Sequence, residues 1–234
     1  MSRCIAVIPA RGGSKGVPLK NVAPLAGTTL LDLAIDCAVA AAGVTEIVVT
    51  TDHPTIADHA RRRDVGVVDR PAHLATDSSP TVDAVLHALD VLGAADDTIV
   101  VTLQPTSPLR THEHLTQAIK MFRQANAATG ASHSVISVCE CDHHPLKSFT
   151  IDADGAVEPI RDLATLEAPR QKLPGYFRAN GAIYVSRAGD IRRYNSVVAP
   201  QPRCFVMDHE SSLDVDTPLD MRIAEALLRG TLDS

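Results

Sequence analysis

Cys4-Ile-Ala-Val-Ile-Pro-Ala-Arg-Gly-Gly-Ser-Lys-Gly-Val-Pro-Leu-Lys-Asn21 decides the fold. Its first five residues are apolar and rich in β-branched side chains, which predicts a fully buried strand. A Gly-rich turn follows, and from about Thr28 apolar residues recur at helical spacing (Leu30, Leu31, Ala34, Ala38, Ala41) until Gly43 stops them. A strand, a glycine turn and a helix form the front of a βα unit, and open α/β sheets bind ligands at that carboxyl edge. The turn is cationic in an acidic chain. Residues 1–31 carry Arg3, Arg11, Lys15 and Lys20 and no acid, while the whole chain has a formal charge of -6, leaving -10 for the remainder. Such a loop calls for an anionic ligand, and glycines at 12, 13 and 16 would let backbone N–H groups approach phosphate oxygens. The order Ser14-Lys15-Gly16 is not that of a Walker loop, and the Gly-x-Gly-x-x-Gly fingerprint of dinucleotide folds is missing, so a triphosphate fits best.

Outward from this unit the βα rhythm repeats. Strands are expected at 46–51, 65–68, 98–103 and 134–138, with helices at about 54–63, 80–92 and 112–125. From 140 to 202 the rhythm fails in a stretch rich in Pro, Asp, Arg and His, with strand-like runs only at 146–151 and 181–186. It resumes with 204–207 and a last helix at 218–228. The expected architecture is a three-layer α/β/α fold with a mostly parallel, Rossmann-like sheet. Residues 1–139 and 203–234 would form the core, and 140–202 an inserted arm that serves an oligomer partner or a substrate lid.

Composition narrows the function. Aromatics make up 3% of the chain and Trp is absent, which together with the negative charge speaks against nucleic acid as a partner. Five cysteines (Cys4, Cys37, Cys139, Cys141 and Cys204) are odd in number and lack zinc-ligand spacing, as expected of a reduced compartment. The first strand starts near residue 4, leaving no room for a signal peptide, and no apolar run approaches a membrane span, so a cytoplasmic protein is expected. Asp214 and Asp216 lie two apart in Leu213-Asp-Val-Asp-Thr-Pro218, which in extended chain puts both carboxylates on one side, within reach of a hard cation. Asp216 is also placed to cap the helix after it. Asp52 reads as a helix cap before Pro54. The rigid polar loop Gln104-Pro-Thr-Ser-Pro-Leu-Arg110 follows a buried strand and suits substrate holding.

In order along the chain, Ile8-Pro-Ala-Arg-Gly-Gly-Ser-Lys-Gly16, Pro18-Leu-Lys-Asn21, Arg70-Pro-Ala72, Leu103-Gln-Pro-Thr-Ser-Pro-Leu-Arg110, His143-His-Pro-Leu-Lys147, Pro169-Arg-Gln-Lys-Leu-Pro174, Asn180-Gly-Ala-Ile-Tyr184 and Asp214-Val-Asp216 resemble the bacterial CMP-acylneuraminate (CMP-sialic acid) synthetases. The resemblance implies a nucleotide-diphospho-sugar transferase type of fold. It implies an enzyme that condenses CTP with an acidic nine-carbon sugar, N-acetylneuraminate or a close analogue, releasing pyrophosphate. Arg11, Lys15, Lys20 and Asn21 would hold the CTP phosphates, with Gly12, Gly13 and Ser14 in the same loop, and Arg70 and Thr81 would read cytosine and ribose. Lys20 and Arg11, with Asp214 and Asp216, would form the catalytic set. Gln104, Lys147, Arg170, Asn180 and Tyr184 would face the sugar, and Asp214 and Asp216 would bind Mg2+, with Mn2+ as the alternative ion. The resemblance further implies a homodimer in which the arm completes the partner's sugar pocket. Around Asn195–Pro200 the family often carries Phe, and this chain has none. Legionaminate, pseudaminate, Kdo or a phosphonate remain alternative acids, and a non-catalytic nucleotide-binding domain is the alternative from another class.

Overall fold

The computed structural model describes residues 3–13, 16–129 and 133–231. Its strands are β1 (Cys4–Pro9), β2 (Glu46–Thr51), β3 (Gly66–Asp69), β4 (Ile99–Thr102), β5 (Val135–Glu140), β6 (Phe149–Ile151), β7 (Val157–Pro159), β8 (Phe177–Arg187) and β9 (Arg203–Val206). Its helices are α1 (Leu30–Ala40), α2 (Pro54–Arg62), α3 (Thr81–Val91), α4 (His112–Thr129), α5 (Leu163–Glu167), α6 (Ala188–Tyr194) and α7 (Pro218–Leu228). Because β1 buries every residue but its last, it has no face to offer water and sits inside the sheet. The seven-stranded order is β3-β2-β1-β4-β8-β5-β9.

The two faces of β1 feed two cores. Cys4, Ala6 and Ile8 pack with α1, α2 and α4, whereas Ile5 and Val7 pack with α3 and α6. Alternation along one strand thus produces the three layers that the βα rhythm predicts. A third, smaller cluster joins Leu25 and Leu30 to Val215 and Ala224 of the last helical unit. It clamps the segment around Val215 against the start of α1, so the last acidic motif is fixed to the first βα unit.

Six of the seven strands run parallel; β8 is antiparallel to both neighbours, β4 and β5. The expected arm of 140–202 is therefore too broad. Ala182, Ile183 and Val185 of β8 lie in the main core and α6 packs beside α3, so 177–194 belongs to the body of the protein. What leaves the sheet is the stretch between β5 and β8, holding the β6–β7 hairpin, α5 and two 3-10 turns, Pro145–Lys147 and Arg170–Lys172. The pairing of β5 with β8 shifts register between Ile136, opposite Tyr184, and Val138, opposite Ala179, so that residues 180–183 lie within the irregularity. Gly181 adopts φ +76, a left-handed conformation that glycine takes without cost.

Candidate active site

A cleft of about 360 Å³ opens at the carboxyl ends of β1 and β4. The loop after β1 forms one wall. Ala10 N–H donates to the Thr50 carbonyl (3.0 Å), the Asn21 amide donates to the Arg11 carbonyl (3.0 Å), and Gly12 N–H donates to Asp52 Oδ1 (2.9 Å). The Gly12 N–H is thus directed at Asp52, and the loop is anchored before any ligand arrives. Asp52 does not cap α2; the His53 ring does, accepting from Thr55 N–H. Ser14 and Lys15 lie outside the described residues, while Gly13 lines the cleft.

Lys20 opens a 3-10 turn (Lys20–Val22) and is only 8% exposed. Its Nζ donates to the Val215 carbonyl at 2.6 Å and to Asp216 Oδ1 at 3.1 Å. The two motifs that are farthest apart in the chain are therefore in contact. Gly16 makes the approach possible, since a Cβ there would stand 2.5 Å from the Asp216 carbonyl oxygen. Asp214 and Asp216 both line the cleft, and Val215 between them is fully buried. Asp216 is not the cap of α7: Thr217 is, in a reciprocal capping box with Asp220, which leaves the Asp216 carboxylate to Lys20.

Asp214 opens to solvent through the cleft, yet the protein around it displaces enough water to push its carboxyl above the usual range; Asp216 pushes the same way. The Thr106 hydroxyl, Lys20 and Arg178 pull it back. Thr106 also accepts the Val215 N–H (2.8 Å), so the loop after β4 and the acidic motif are braced together. Arg110 secures that loop from behind, donating to the carbonyls of Gln104 (3.1 Å) and Ala182 (2.7 Å). Gln104 lines the cleft beside Gly181, where a Cβ would lie 2.6 Å from its Oε1.

At the other end, Arg70 is 8% exposed and bonded through Nη2 to the Thr50 carbonyl (2.5 Å). Burial pushes its guanidinium down to about 10, and neighbouring Arg11 adds to the effect while Asp52 opposes it. Thr81 begins α3 and lines the same end. Arg11 points into the cleft but is held by the turn opposite, donating to the Thr76 carbonyl (2.6 Å) and pairing with Asp77 (2.9 Å).

The structure thus brings together Arg11, Gly13, Lys20, Asn21, Arg70, Thr81, Gln104, Asp214 and Asp216. Others from the sequence reading lie elsewhere. Asn180 is turned into the core, accepting from Ser137 Oγ (2.6 Å) and donating to Ser212 Oγ (2.9 Å); it braces the bulge of β8 and does not face the cleft. Tyr184 sits nearer: burial first, and then the Asp214 charge, raise its phenol. Lys147 donates to the Leu166 carbonyl (2.9 Å) and Arg170 to that of Cys141 (2.9 Å), both within the arm and away from this cleft. Thr76, Asp77 and Thr106 were not singled out, and Asp52, read as a helix cap, anchors the glycine loop. Thr106 stands inside the loop singled out above, whereas Asp52 carries no sequence mark that distinguishes an anchor of the glycine loop from a helix cap.

Two carboxylates on one wall suit a hard cation that takes one or two protein oxygens and completes its shell with phosphate and water. No cluster of three or more His, Cys, Asp or Glu occurs among the described residues. Nor, among those residues, is any helix long and apolar enough to cross a membrane.

A family model for cytidylyltransferases matches residues 5–194. CMP-N,N'-diacetyllegionaminic acid synthase of Legionella pneumophila is 34% identical over 97% of this chain and 96% of its own length. N-acylneuraminate cytidylyltransferase of Escherichia coli O18:K1:H7 is 29% identical over 95% of this chain, which spans 51% of that longer protein. The structure also superimposes on a CMP:2-keto-3-deoxy-manno-octonic acid synthetase complexed with CTP, with a TM-score of 0.73 and 18% identity over 99% of this chain and all of that one, a likeness of fold. With a matched family model over most of its length and a relative similar from end to end, this chain belongs to the cytidylyltransferase family.

Proposed function

We propose that this cytidylyltransferase condenses CTP with a nonulosonic acid, N-acetylneuraminate or a close analogue, to give the CMP-sugar and pyrophosphate. The observation that carries the reading is the cleft lined by Arg11 and Lys20 together with Asp214 and Asp216, with the Lys20 ammonium 3.1 Å from the Asp216 carboxylate. The cations suit a triphosphate, and the neighbouring carboxylates suit its metal. In the reaction the anomeric hydroxyl attacks the α-phosphorus in line, a new O–P bond forms, and the bond to pyrophosphate breaks. A divalent cation, Mg2+ or Mn2+, held by Asp214 and Asp216 would supply charge neutralisation at the phosphates. Lys20 binds beside the α-phosphate, where its ammonium offsets the charge that gathers during transfer. Arg11 and Asn21 hold the outer phosphates, and Arg70 and Thr81 orient cytidine. Gln104 and Tyr184 orient the sugar.

Lys147 and Arg170, remote from their own cleft, serve a partner's. The arm supports this homodimer reading, because Phe149, Ile151, Ile160, Leu163 and Phe177 all stand exposed on it or at its root. Five free cysteines support a cytoplasmic location.

The test is pyrophosphate release from CTP with a panel of N-acetylneuraminate, diacetyllegionaminate, pseudaminate and Kdo. The reading predicts turnover with a nine-carbon acid and CTP, and none with any acid would overturn it. Lys20→Ala is expected to lower kcat by about 100- to 1,000-fold, as for loss of one charge-stabilising donor. Diacetyllegionaminate is the second reading for the acid, favoured by the end-to-end similarity to the Legionella enzyme.

A further inference from the structure

Where β8 leaves the regular ladder, residues 180–183 need other partners for their backbone groups inside the protein. Side chains provide them. Ile183 N–H donates to Ser137 Oγ (2.7 Å), Ala182 N–H donates to Asn180 Oδ1 (3.2 Å), and Arg110 donates to the Ala182 carbonyl (2.7 Å). Ser137 Oγ donates in turn to Asn180 Oδ1 (2.6 Å). Two donors on Oδ1 fix which way the Asn180 amide is turned, and Nδ2 is left to donate to Ser212 Oγ (2.9 Å). The other acceptor near Nδ2 is the Met207 sulfur at 3.4 Å, a weak one. Ser137, Asn180 and Ser212 are all buried.

Ser212 lies two residues ahead of Asp214 and does not line the cleft. On the far side of Asp214, Val215 N–H donates to the Thr106 carbonyl (2.8 Å). The acidic residue is thus bracketed by two ties, and both lead back to the same place. The loop after β4 holds Val215 through Thr106, holds the bulge of β8 through Arg110, and the bulge holds Ser212 through Asn180. In this closed circuit the Asn180–Ser212 bond is the tie to the chain ahead of Asp214. The turn there, with Ser212 N–H on the His209 carbonyl and Leu213 N–H on that of Glu210, is local and anchors nothing to the sheet. Leu213 packs on the cluster around Val215, an apolar contact without direction.

We propose that Ser212 is a positioning residue: by accepting the Asn180 amide it holds the Asp214 carboxylate where a divalent cation on the CTP phosphates needs it. This rests on the reading of Asp214 and Asp216 as the metal carboxylates. Mg2+ demands near-ideal ligand geometry, so slack ahead of Asp214 weakens the hold on the cation. The nucleotide's other contacts stay in place. Arg11 and Arg70 are tied elsewhere, and Lys20 rests on Val215, which keeps its own bond to Thr106.

Calorimetric titration of CTP without sugar, in chelator and in excess Mg2+, tests this on wild type, Ser212→Ala, Ser212→Cys, Asp214→Asn and the control Ser134→Ala. The control removes a different buried hydroxyl, which donates to the Ala199 carbonyl (3.1 Å) outside the circuit. Both serine-to-alanine variants are expected to melt about 2–4 °C lower, the worth of one buried hydrogen bond. Ser212→Ala should bind CTP in chelator as wild type does and lose about three- to tenfold of the tightening that Mg2+ brings. Ser212→Cys, whose sulfur is a weaker acceptor, should fall between the two, and it carries the same test if the alanine variant is too unstable to titrate. Ser134→Ala should keep the whole Mg2+ effect. An undiminished Mg2+ effect in the Ser212 variants, an equal weakening in chelator, or a loss matched by Ser134→Ala makes the bond a structural brace and overturns the proposal. If Asp214→Asn keeps the wild-type Mg2+ effect, or wild type shows none, the metal reading of the acidic pair fails first, and this proposal with it.

Discussion

Asp214 is the residue at which folding and chemistry oppose each other. Burial, seconded by Asp216, raises its carboxyl above the ordinary 3.8. A carboxyl whose pKa is higher in the folded than in the unfolded chain favours the fold while protonated; that contribution is whole below about pH 3.8 and is lost as pH rises through the folded value. Asp214→Asn should therefore melt higher than wild type at pH 7.5 in chelator, with the difference closing toward acid pH. Added Mg2+ should raise the wild-type melting temperature more than that of the variant, because binding to the folded state alone stabilises it. Thermal unfolding at several pH values reads both effects. Much of the cleft was legible at this scale: the cations, the paired acids and Gln104 announced themselves by charge or by position after buried strands. Asn180 did not. Its amide in the sequence looks the same whether it faces a ligand or, as here, Ser137 and Ser212 of the interior.

At the scale of elements, local signals served where the elements are local. Helix α7 was legible to its ends because Pro218 fixes its first turn, though the cap proved to be Thr217 rather than Asp216. Strand β8 shows where such signals stop. The apolar run at 181–186 declares a buried strand, but which strands flank it depends on residues far away, and 140–202 looked like one arm for that reason. Strand β7 and helix α5, of 3 and 5 residues, are too short to show a period. The bulge in β8 carries its own prediction. Gly181→Ala meets both a left-handed backbone and the Gln104 side chain, so a loss of about 1–3 kcal/mol in stability is expected. Gln104 should be displaced too, raising KM for the sugar several-fold while KM for CTP moves little. Chemical denaturation and two-substrate kinetics check the two halves separately.

For the molecule as a whole, the arm exposes Ile151 and Leu163 at 65% and 66%, more apolar surface than its three-residue strands can cover by themselves. If that surface is the dimer contact, Ile151→Asp with Leu163→Asp should yield a monomer in light scattering. Activity toward the sugar should fall with it, while CTP affinity in the cleft persists. The sheet itself has a history written into its strand order. Until residues 177–187 leave the ribosome, β4 and β5 have no partner between them, so within the large sheet the nascent protein can pair only four strands, β3-β2-β1-β4, with the amide and carbonyl groups of β4 bare along one side. The last interior strand must then slide in from the opposite direction, closing contacts between distant stretches of chain, a late and slow step. A growing polypeptide paused before that point would be the species most in need of a chaperone.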